Sequence, residues 1–191
     1  MTAFETPRLL VRPFTDADFA GLYRTFSDPE TMRYIRPPFT EEQQLRERMA
    51  MWAEYSRKRP DLGTFVLVWK ESGLSAGASP PSASLRRVTA EEGVFAGSCV
   101  ARQVGYDTAS EEYEIGYILA PEYWGQGLAS ELVPPLSRYC FQQSPAQHLV
   151  AFTDPDNAAS QRVLVKGGFR YMGTRQTADG VSAEYWLERA G

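Results

Sequence analysis

The stretch from Tyr113 to Ser130 combines residue types that suit the binding of an anion. It runs from a short apolar strand, through a turn that contains Gly125 and Gly127, into the start of a helix. Glycine lets the backbone approach a ligand closely, and the first N–H groups of a helix have no acceptor within the helix. Aligned peptide dipoles add partial positive charge at that end of the helix. The pattern therefore predicts a backbone cradle for a phosphate or pyrophosphate group.

The two commonest nucleotide-binding motifs do not fit this turn. A P-loop needs a Lys-Ser/Thr pair after its last glycine, but Leu128 and Ala129 follow Gly127. A dinucleotide-binding motif needs a third glycine where Ser130 stands. Because a Gly-x-Gly pair also occurs in ordinary strand-to-helix turns, the ligand must be identified from other residues.

The strand before the turn carries a candidate general base, Glu114. Successive side chains of a strand alternate between its two faces. Glu114 therefore shares one face with Gly116 and Ile118, and the other face carries Tyr113, Ile115, Tyr117 and Leu119. Gly116 leaves a bare patch beside Glu114, as a strand glycine does where a ligand approaches. The alternative is that Glu114 faces solvent, as glutamates on half-exposed strands usually do.

Composition places the chain among ordinary globular proteins. Its 191 residues are 43% hydrophobic and 23% charged, which predicts one domain over residues 1–191 with a sizeable core. The net charge of −4 and the lack of a basic run beyond Arg57-Lys58-Arg59 argue against a nucleic-acid partner. The first five residues lack the pattern of a signal peptide, and no apolar run approaches the ~20 residues needed to span a bilayer. We therefore expect a cytoplasmic protein without a membrane partner.

The cysteines and the single histidine form no recognisable pattern. Cys99 and Cys140 lie in apolar stretches, which are typical of small buried thiols. A cysteine nucleophile would need His148 nearby in space, and the sequence leaves that alternative open. With one histidine and no acidic or cysteine cluster at ligand spacing, no metal site is predicted.

Hydrophobic patterns and turn residues predict a mixed α/β domain. The predicted strands are Arg8 to Phe14, Thr64 to Trp69, Val94 to Val100, Tyr113 to Leu119 and His148 to Phe152. The predicted helices run from Thr15 to about Phe26, from a capping pattern at Thr40 to about Arg57, from Gly127 to Phe141, and from Asn157 to Lys166. Pro134 and Pro135 inside the third helix predict a kink or a restart, because proline lacks the N–H that a helix interior requires.

The segment 72–92 separates the second and third strands, which are expected to pair as a hairpin. It is rich in Gly, Ser, Ala and Pro and is far longer than the ~2 to 5 residues usual for a hairpin loop. Because this composition buries little area, the segment is interpreted as a flexible hairpin insertion on the surface. A substrate lid is the alternative.

Three motifs, taken in order and spacing, resemble the GNAT N-acetyltransferase superfamily, and in particular its branch of ribosomal-protein N-terminal acetyltransferases. They are Thr6-Pro7-Arg8-Leu9, Glu114-Ile115-Gly116-Tyr117 and Tyr123-Trp124-Gly125-Gln126-Gly127, followed by the helix start Asn157-Ala158-Ala159-Ser160. The resemblance extends from about Thr6 to Trp186 and leaves out only the stretch around 73–92. It implies a GNAT-like fold, in which central strands of a mixed α/β sheet splay apart and helices flank them.

The resemblance also implies acetyl-CoA as co-substrate, without a metal. In this family the pantetheine lies in the gap between the splayed strands, beside Ile118, Leu119 and Asn157 here. The pyrophosphate binds backbone amides of the turn, which in this chain belong to Trp124, Gly125, Gln126, Gly127, Leu128, Ala129 and Ser130. Family members often carry Gln or Arg where Trp124 stands, but the backbone at that position makes the main contact.

The resemblance implies direct acetyl transfer, with Glu114 as base and Ser160 as acid. Many members place a tyrosine seven residues after the helix-opening asparagine, but this chain has Leu164, which cannot donate a proton. A serine three residues after the asparagine is suggested to take that role in the ribosomal-protein branch, and Ser160 occupies that position. The alternative is an ordinary first-turn serine. Asn157 would cap the helix or bind pantetheine, and a backbone amide between Glu114 and Leu119 would stabilise the oxyanion.

The acceptor is expected to be a primary amine, first of all a protein N-terminal α-amine. A small amine such as an amino acid, a polyamine or an antibiotic is the alternative, and a non-catalytic acyl-CoA-binding module is a third. The acceptor should contact the segment Asp28 to Arg36 and the hairpin around Ala178 to Gly180. Asp28 and Glu30 could attract a cationic amine, although Asp-Pro-Glu is also a common helix start. The protein is expected to be a monomer or a homodimer.

Overall fold

The computed structural model describes residues 2–70, 87–89, 93–177 and 180–190. Within these ranges the chain forms nine strands in a single sheet, and five α-helices. The strands are β1 (Phe4–Glu5), β2 (Leu9–Pro13), β3 (Gly63–Trp69), β4 (Arg87–Thr89), β5 (Gly93–Gln103), β6 (Tyr113–Leu119), β7 (His148–Thr153), β8 (Arg170–Thr177) and β9 (Gly180–Glu188). The helices are α1 (Phe19–Ser27), α2 (Pro29–Met32), α3 (Glu42–Lys58), α4 (Leu128–Gln142) and α5 (Ala158–Lys166). Every predicted strand and helix is present, with ends that differ by a few residues.

The sheet opens between β6 and β7. Its strand order is β1-β2-β3-β5-β6-β7-β9-β8, with β4 paired to β5. All neighbouring strands are antiparallel except β6 and β7, which run parallel and share two residue pairs, Tyr113 with Leu149 and Glu114 with Val150. From Ile115 onward β6 continues to pair with β5, but its pairing with β7 has ended. The expected mixed α/β fold with splayed central strands is therefore confirmed.

Helices cover both faces of the sheet, and each layer has an apolar cluster. The cluster under α1 and α3 includes Leu22, Leu45, Trp52, Val66 and Phe95, and Ile118 of β6 packs against it. The cluster under α4 and α5 includes Ile115, Leu132, Leu136, Leu149 and Leu164. Because neighbouring residues of β6 belong to different clusters, the two faces of this strand look toward different helical layers, as the alternation predicts.

Two local predictions at helix ends and prolines need correction. The N-cap of α3 is Glu41 rather than Thr40, and the Gln44 side chain accepts hydrogen bonds from both backbone N–H groups, at 2.8 Å from Thr40 and 3.1 Å from Glu41. Helix α4 continues through Pro134 and Pro135, so the expected restart is wrong, whereas the alternative of a kink stays a prediction. The helix therefore forms as one element although Pro134 and Pro135 have no backbone N–H to donate.

The prediction of a flexible insertion at 72–92 lies outside the described residues, apart from Arg87–Thr89. The backbone of these three residues forms β4, which pairs with β5. The expected pairing of the strands on either side of the segment is confirmed, because β3 and β5 are antiparallel neighbours. Of the helices that the structure describes, none combines the length and the apolar character needed to cross a bilayer.

Arg175 on β8 ties the C-terminal hairpin to the segment before β6. Its Nη1 and Nη2 donate to the two carboxylate oxygens of Glu112 at 2.7 and 2.8 Å, and its Nε donates to Glu184 at 3.0 Å. The hydrogen bond from Arg175 holds the pKa of Glu112 below its usual value, against the opposing effect of burial. The Glu184 carboxylate is buried and also accepts the indole N–H of Trp186 at 2.6 Å. One arginine therefore serves two carboxylates.

Replacing Arg175 by Met is expected to lower the free energy of unfolding by about 2 kcal/mol at pH 7, between the typical values for exposed and for buried ion pairs. The folded-state pKa of Glu112 is depressed, so this stabilisation is present above the unfolded pKa of about 4.3 and is lost as the pH falls through the folded pKa. Denaturant unfolding at pH 7 and pH 3 should show a gap between the two proteins that narrows in acid. Arg170→Met on the same strand, whose partner Glu188 is exposed, should change stability by under about 0.5 kcal/mol at both pH values. An equal gap for Arg175→Met at both pH values would contradict this account.

Candidate active site

The turn after β6 has the backbone conformation that an anion cradle requires. Gly125 and Gly127 have φ angles of 72° and 76°, in the left-handed region that favours glycine. Gly127 is the N-cap of α4, and the first helical hydrogen bond runs from the N–H of Glu131 to the Gly127 carbonyl at 3.0 Å. Within the described chain, the backbone N–H groups from Gly125 to Ser130 donate to no protein acceptor. A run of consecutive donors is therefore available to an anion at a helix N-terminus.

Side chains hold this turn in place. The indole N–H of Trp124 donates to the carbonyl of Leu119 at 2.8 Å, and the Gln126 side chain donates to the carbonyl of Glu122 at 2.8 Å. The Arg8 Nη1 donates to the carbonyl of Gln126 at 3.0 Å. Trp124 thus contributes a structural hydrogen bond through its side chain. Its backbone N–H donates to the carbonyl of Pro121 at 3.1 Å, so the prediction that this amide is available to the pyrophosphate is wrong.

A second helix begins at the same end of the gap. Strands β6 and β7 are parallel and each leads into a helix, so α4 and α5 start on either side of the opening between them. Asn157 is the N-cap of α5, and its side-chain oxygen accepts the N–H of Ser160 at 3.1 Å. The capping role anticipated for Asn157 is therefore present. Two helix N-termini, each with partial positive charge, flank the gap.

Tyr117 reaches across the gap to Ser160. The two hydroxyl oxygens are 3.3 Å apart. Burial raises the pKa of Tyr117, and the hydrogen bond with Ser160 opposes this in part, so the phenol keeps its proton at neutral pH. Leu164, at the position where many relatives carry tyrosine, is 3% exposed and belongs to the core. Alternation along the strand predicts Tyr117 on this face but gives it no role; the available signal was its hydroxyl close to the predicted turn.

Glu114 lies on the opposite face of β6 and is paired. It is 8% exposed and forms an ion pair with Arg102, its cross-strand neighbour on β5. The Arg102 guanidinium lies 3.7 Å from the ring centroid of Tyr106, whose hydroxyl is 2.6 Å from that of Thr64. The alternative in which Glu114 faces solvent is therefore wrong. Arg102 was missed because the register of β5 and β6 depends on the connection between them, which the sequence alone does not define.

The arrangement separates a carboxylate from a pair of hydroxyls across one strand. Glu114 lies on the face toward α1 and α3, whereas Tyr117 and Ser160 lie on the face toward α4 and α5. The unpaired edge of β6 from Ile115 to Leu119 borders the gap between them. Such a site can remove a proton from a group that approaches on one side and supply a proton to a group that departs on the other.

The expected acceptor segment begins with a helix cap. The Asp28 carboxylate accepts the backbone N–H of Thr31 at 2.8 Å and also the Thr31 hydroxyl. The bond from that hydroxyl is the main cause that lowers the pKa of Asp28. For Asp28 the helix-start interpretation is therefore confirmed, and its carboxylate is committed to that cap. The turn residues Ala178 and Asp179 of the expected acceptor hairpin lie outside the described residues.

Neither cysteine has the environment of a nucleophile. Both are buried, and burial raises the pKa of the Cys99 thiol and raises that of Cys140 to about 12. His148 instead stacks on Trp186, with ring centroids 4.1 Å apart. The alternative of a Cys-His pair thus has no support. In the portion of the chain that the structure describes, no three His, Cys, Asp or Glu side chains gather as a metal ion would require.

Comparison with known proteins identifies relatives over most of the chain. Residues 8–170 match the family model described as an acetyltransferase (GNAT) domain. An uncharacterized N-acetyltransferase of Bacillus subtilis, YoaA, is 28% identical over 173 residues, which cover 88% of this chain and 83% of YoaA. The uncharacterized protein YkkB of the same organism is 31% identical over 176 residues, which cover 91% of this chain and 88% of YkkB.

Solved structures share the fold at low sequence identity. An acetyltransferase from Agrobacterium tumefaciens matches with a TM-score of 0.74 and 18% identity, covering 97% of this chain and 94% of its own. A ribosomal-protein-S5-alanine acetyltransferase from Vibrio fischeri matches with a TM-score of 0.70 and 16% identity, covering 97% and 95%. A spermidine N-acetyltransferase from Vibrio cholerae, solved with CoA and spermine, matches with a TM-score of 0.70 and 14% identity, covering 95% of each chain. These last two proteins match this chain with the same TM-score but are named for different acceptors. The fold alone therefore does not identify the acceptor.

Proposed function

This chain belongs to the GNAT acetyltransferase family and is an acetyl-CoA-dependent N-acetyltransferase, and from this premise we propose that it acetylates the α-amine of a protein N-terminus. The ion pair between Glu114 and Arg102 is the observation that carries the choice. An amine must lose its proton before it can attack, and an α-amine with a pKa near ~8 is partly neutral at pH 7, whereas an alkyl amine near ~10.4 is not. A carboxylate that is ion-paired with Arg102 must give up that pair when it accepts a proton, so it suits the acceptor that demands less of its base.

Two further observations support an α-amine. The Thr6-x-Arg8-Leu9, Glu114 to Tyr117 and Tyr123 to Gly127 motifs resemble those of the ribosomal-protein branch. The Asp28 carboxylate, which could attract a polycationic amine, has one of its two oxygens engaged in the cap of α2 and is to that extent less available.

The co-substrate is proposed to bind along the gap. The N–H groups from Gly125 to Ser130 would hold the pyrophosphate of acetyl-CoA. The pantetheine would pass between β6 and β7, beside Ile118, Leu119 and Asn157. The observed supports are the free donors of the turn, the end of β6–β7 pairing at Glu114, and the two helix N-termini at the opening.

The proposed reaction is a direct transfer. Glu114, alone or through a water molecule, takes a proton from the ammonium, and the nitrogen lone pair attacks the thioester carbonyl. A backbone N–H between Glu114 and Leu119 stabilises the oxyanion. When the tetrahedral intermediate collapses, the C–S bond breaks and Ser160, hydrogen-bonded to Tyr117, donates a proton to the thiolate. The two proton transfers take place on opposite faces of β6, which keeps the base and the acid apart.

Release of free CoA, with mass-spectrometric identification of the product, tests the acceptor. The panel contains N-terminal peptides of ribosomal proteins, the same peptides blocked at the α-amine and carrying one internal lysine, free amino acids, polyamines and aminoglycosides. Acetylation of the free peptides, and not of the blocked ones, is the expected result. If only a small amine is acetylated, the protein is an N-acetyltransferase of that substrate class and the proposed protein acceptor is wrong. Binding of acetyl-CoA without any product would favour the non-catalytic module and remove the basis for the roles of Glu114 and Ser160.

A further inference from the structure

The N-terminal Thr6-Pro7-Arg8 segment is bonded to the start of α4. Glu131, in the first turn of that helix, accepts three hydrogen bonds from it: from the Thr6 hydroxyl at 2.5 Å, the Arg8 backbone N–H at 2.9 Å and the Arg8 Nε at 2.7 Å. Thr6 is buried, and its hydroxyl oxygen also accepts the N–H of Leu9 at 2.9 Å. A segment 123 residues away in sequence is thereby fixed to the helix that begins at the cradle.

The same arginine also sets one peptide group of the cradle. Arg8 Nη1 donates to the Gln126 carbonyl, and the guanidinium carbon lies 5.9 Å from the Trp69 ring centroid. In a trans peptide the carbonyl and the following N–H point in opposite directions, so a carbonyl held toward Arg8 directs the Gly127 N–H away from it. Gly125 and Gly127 both have positive φ, and glycine has more conformational freedom than other residues. A hydrogen bond that restrains this turn therefore reduces the number of conformations it can adopt.

Arg8 also balances the charge of Glu131. Burial opposes ionisation of Glu131, but the hydrogen bonds from Thr6 and Arg8 outweigh it and hold the pKa of this carboxyl below its usual value. An anionic side chain in the first turn of α4 would repel a bound pyrophosphate if it were unpaired. The ion pair between Arg8 and Glu131, at 2.7 Å, reduces that repulsion.

We propose that Arg8, fastened by Thr6 and Glu131, is a positioning residue that orients the Gln126–Gly127 peptide for the pyrophosphate of acetyl-CoA. This inference rests on the proposed binding of the co-substrate along the gap. Arg8 acts through the backbone of the turn, and the restraint requires its planar fork, because one guanidinium bonds Glu131 and the Gln126 carbonyl together. The contribution is therefore specific to the pyrophosphate part of the donor.

Calorimetric binding of CoA and of pantetheine, which lacks the pyrophosphate, tests the inference without needing an acceptor. Arg8→Met and Arg8→Lys should each weaken CoA binding by about 10-fold, with pantetheine affinity unchanged within about 2-fold, since about 1.4 kcal/mol corresponds to a factor of ten. Lysine keeps the charge but cannot bond both partners, so a near-normal Arg8→Lys would show that Arg8 acts by charge alone and would overturn the proposal. Equal weakening of both ligands, or of neither, would also overturn it.

The matched control is Arg175→Met, which breaks another arginine–carboxylate network far along the chain. It should leave the ratio of CoA to pantetheine affinity unchanged, and thermal unfolding of each variant separates general loss of stability from a local effect. If the unsubstituted protein binds pantetheine but not CoA, the cradle itself is wrong and the proposed role of Arg8 fails with it. If the unsubstituted protein binds CoA and both Arg8 variants bind CoA as tightly as it does, the co-substrate site stands and the positioning role alone is lost.

Discussion

Glu114→Gln is expected to lower kcat by about 100-fold at pH 7, at the lower end of the range for general acid–base catalysis. Glutamine has nearly the same shape but cannot take a proton from the attacking amine. The defect should shrink as the pH rises toward 9, because an α-amine with a pKa near ~8 is then largely neutral without help. A variant that only loosened the fold would show no such recovery.

The measurement is the pH profile of kcat for both proteins with the acceptor identified by the panel. Glu112→Gln is a matched control: Glu112 immediately precedes β6 and is also paired with an arginine, but lies beyond the opening between β6 and β7. It should lose stability and keep its kcat. Because Arg102 loses its ionic partner in Glu114→Gln, thermal unfolding and CoA affinity must be measured alongside. A constant defect from pH 7 to pH 9 would assign Glu114 a structural role with Arg102.

Local sequence patterns predicted the fold well because each element carries its own signals. The alternation in β6, the capping residue Asn157 and the paired glycines of the turn depend on neighbours within a few positions. The prediction at Thr40 was wrong because Glu41 competes for the same cap and Gln44 bonds both N–H groups. Pro134 and Pro135 were expected to kink α4 or make it restart; it does not restart, and the burial of Leu132, Val133 and Leu136 around them favours one continuous helix.

The features that sequence did not predict are long-range pairings. The partner of Glu114 depends on the register of two strands, and the contact between Tyr117 and Ser160 depends on how far β7 diverges. The contacts of Arg8 with Glu131 and Gln126 join segments that are 123 and 118 residues apart in the sequence. Each motif was visible as residue types, but what each residue touches is decided by tertiary packing. The catalytic and ligand-binding roles themselves stay predictions until the variants are measured.

Tyr117→Phe and Ser160→Ala are each expected to lower kcat by about 10-fold, below the usual range for loss of a general acid, because a thiol with a pKa near ~8.5 is a leaving group that needs little help from a proton donor. The two hydroxyls are hydrogen-bonded to each other, and burial keeps the phenol protonated. We therefore expect them to donate a proton to the leaving thiolate as one unit. If so, the double variant should be little worse than the poorer single variant. Two independent groups would instead multiply their effects, to about 100-fold.

Tyr123→Phe provides the matched control for the loss of a phenol. In the part of the chain that the structure describes, the buried Tyr123 hydroxyl has no hydrogen-bond partner, so its removal should not lower kcat. CoA affinity should stay within about 2-fold in all of these variants, because the unit acts on the departing sulfur and not on the pyrophosphate. Multiplicative losses with normal affinity would show that the two hydroxyls act independently and would contradict the single unit. Loss of CoA affinity in Tyr117→Phe would instead make Tyr117 a wall of the gap, whose contact with Ser160 serves to position α5 and not to donate a proton.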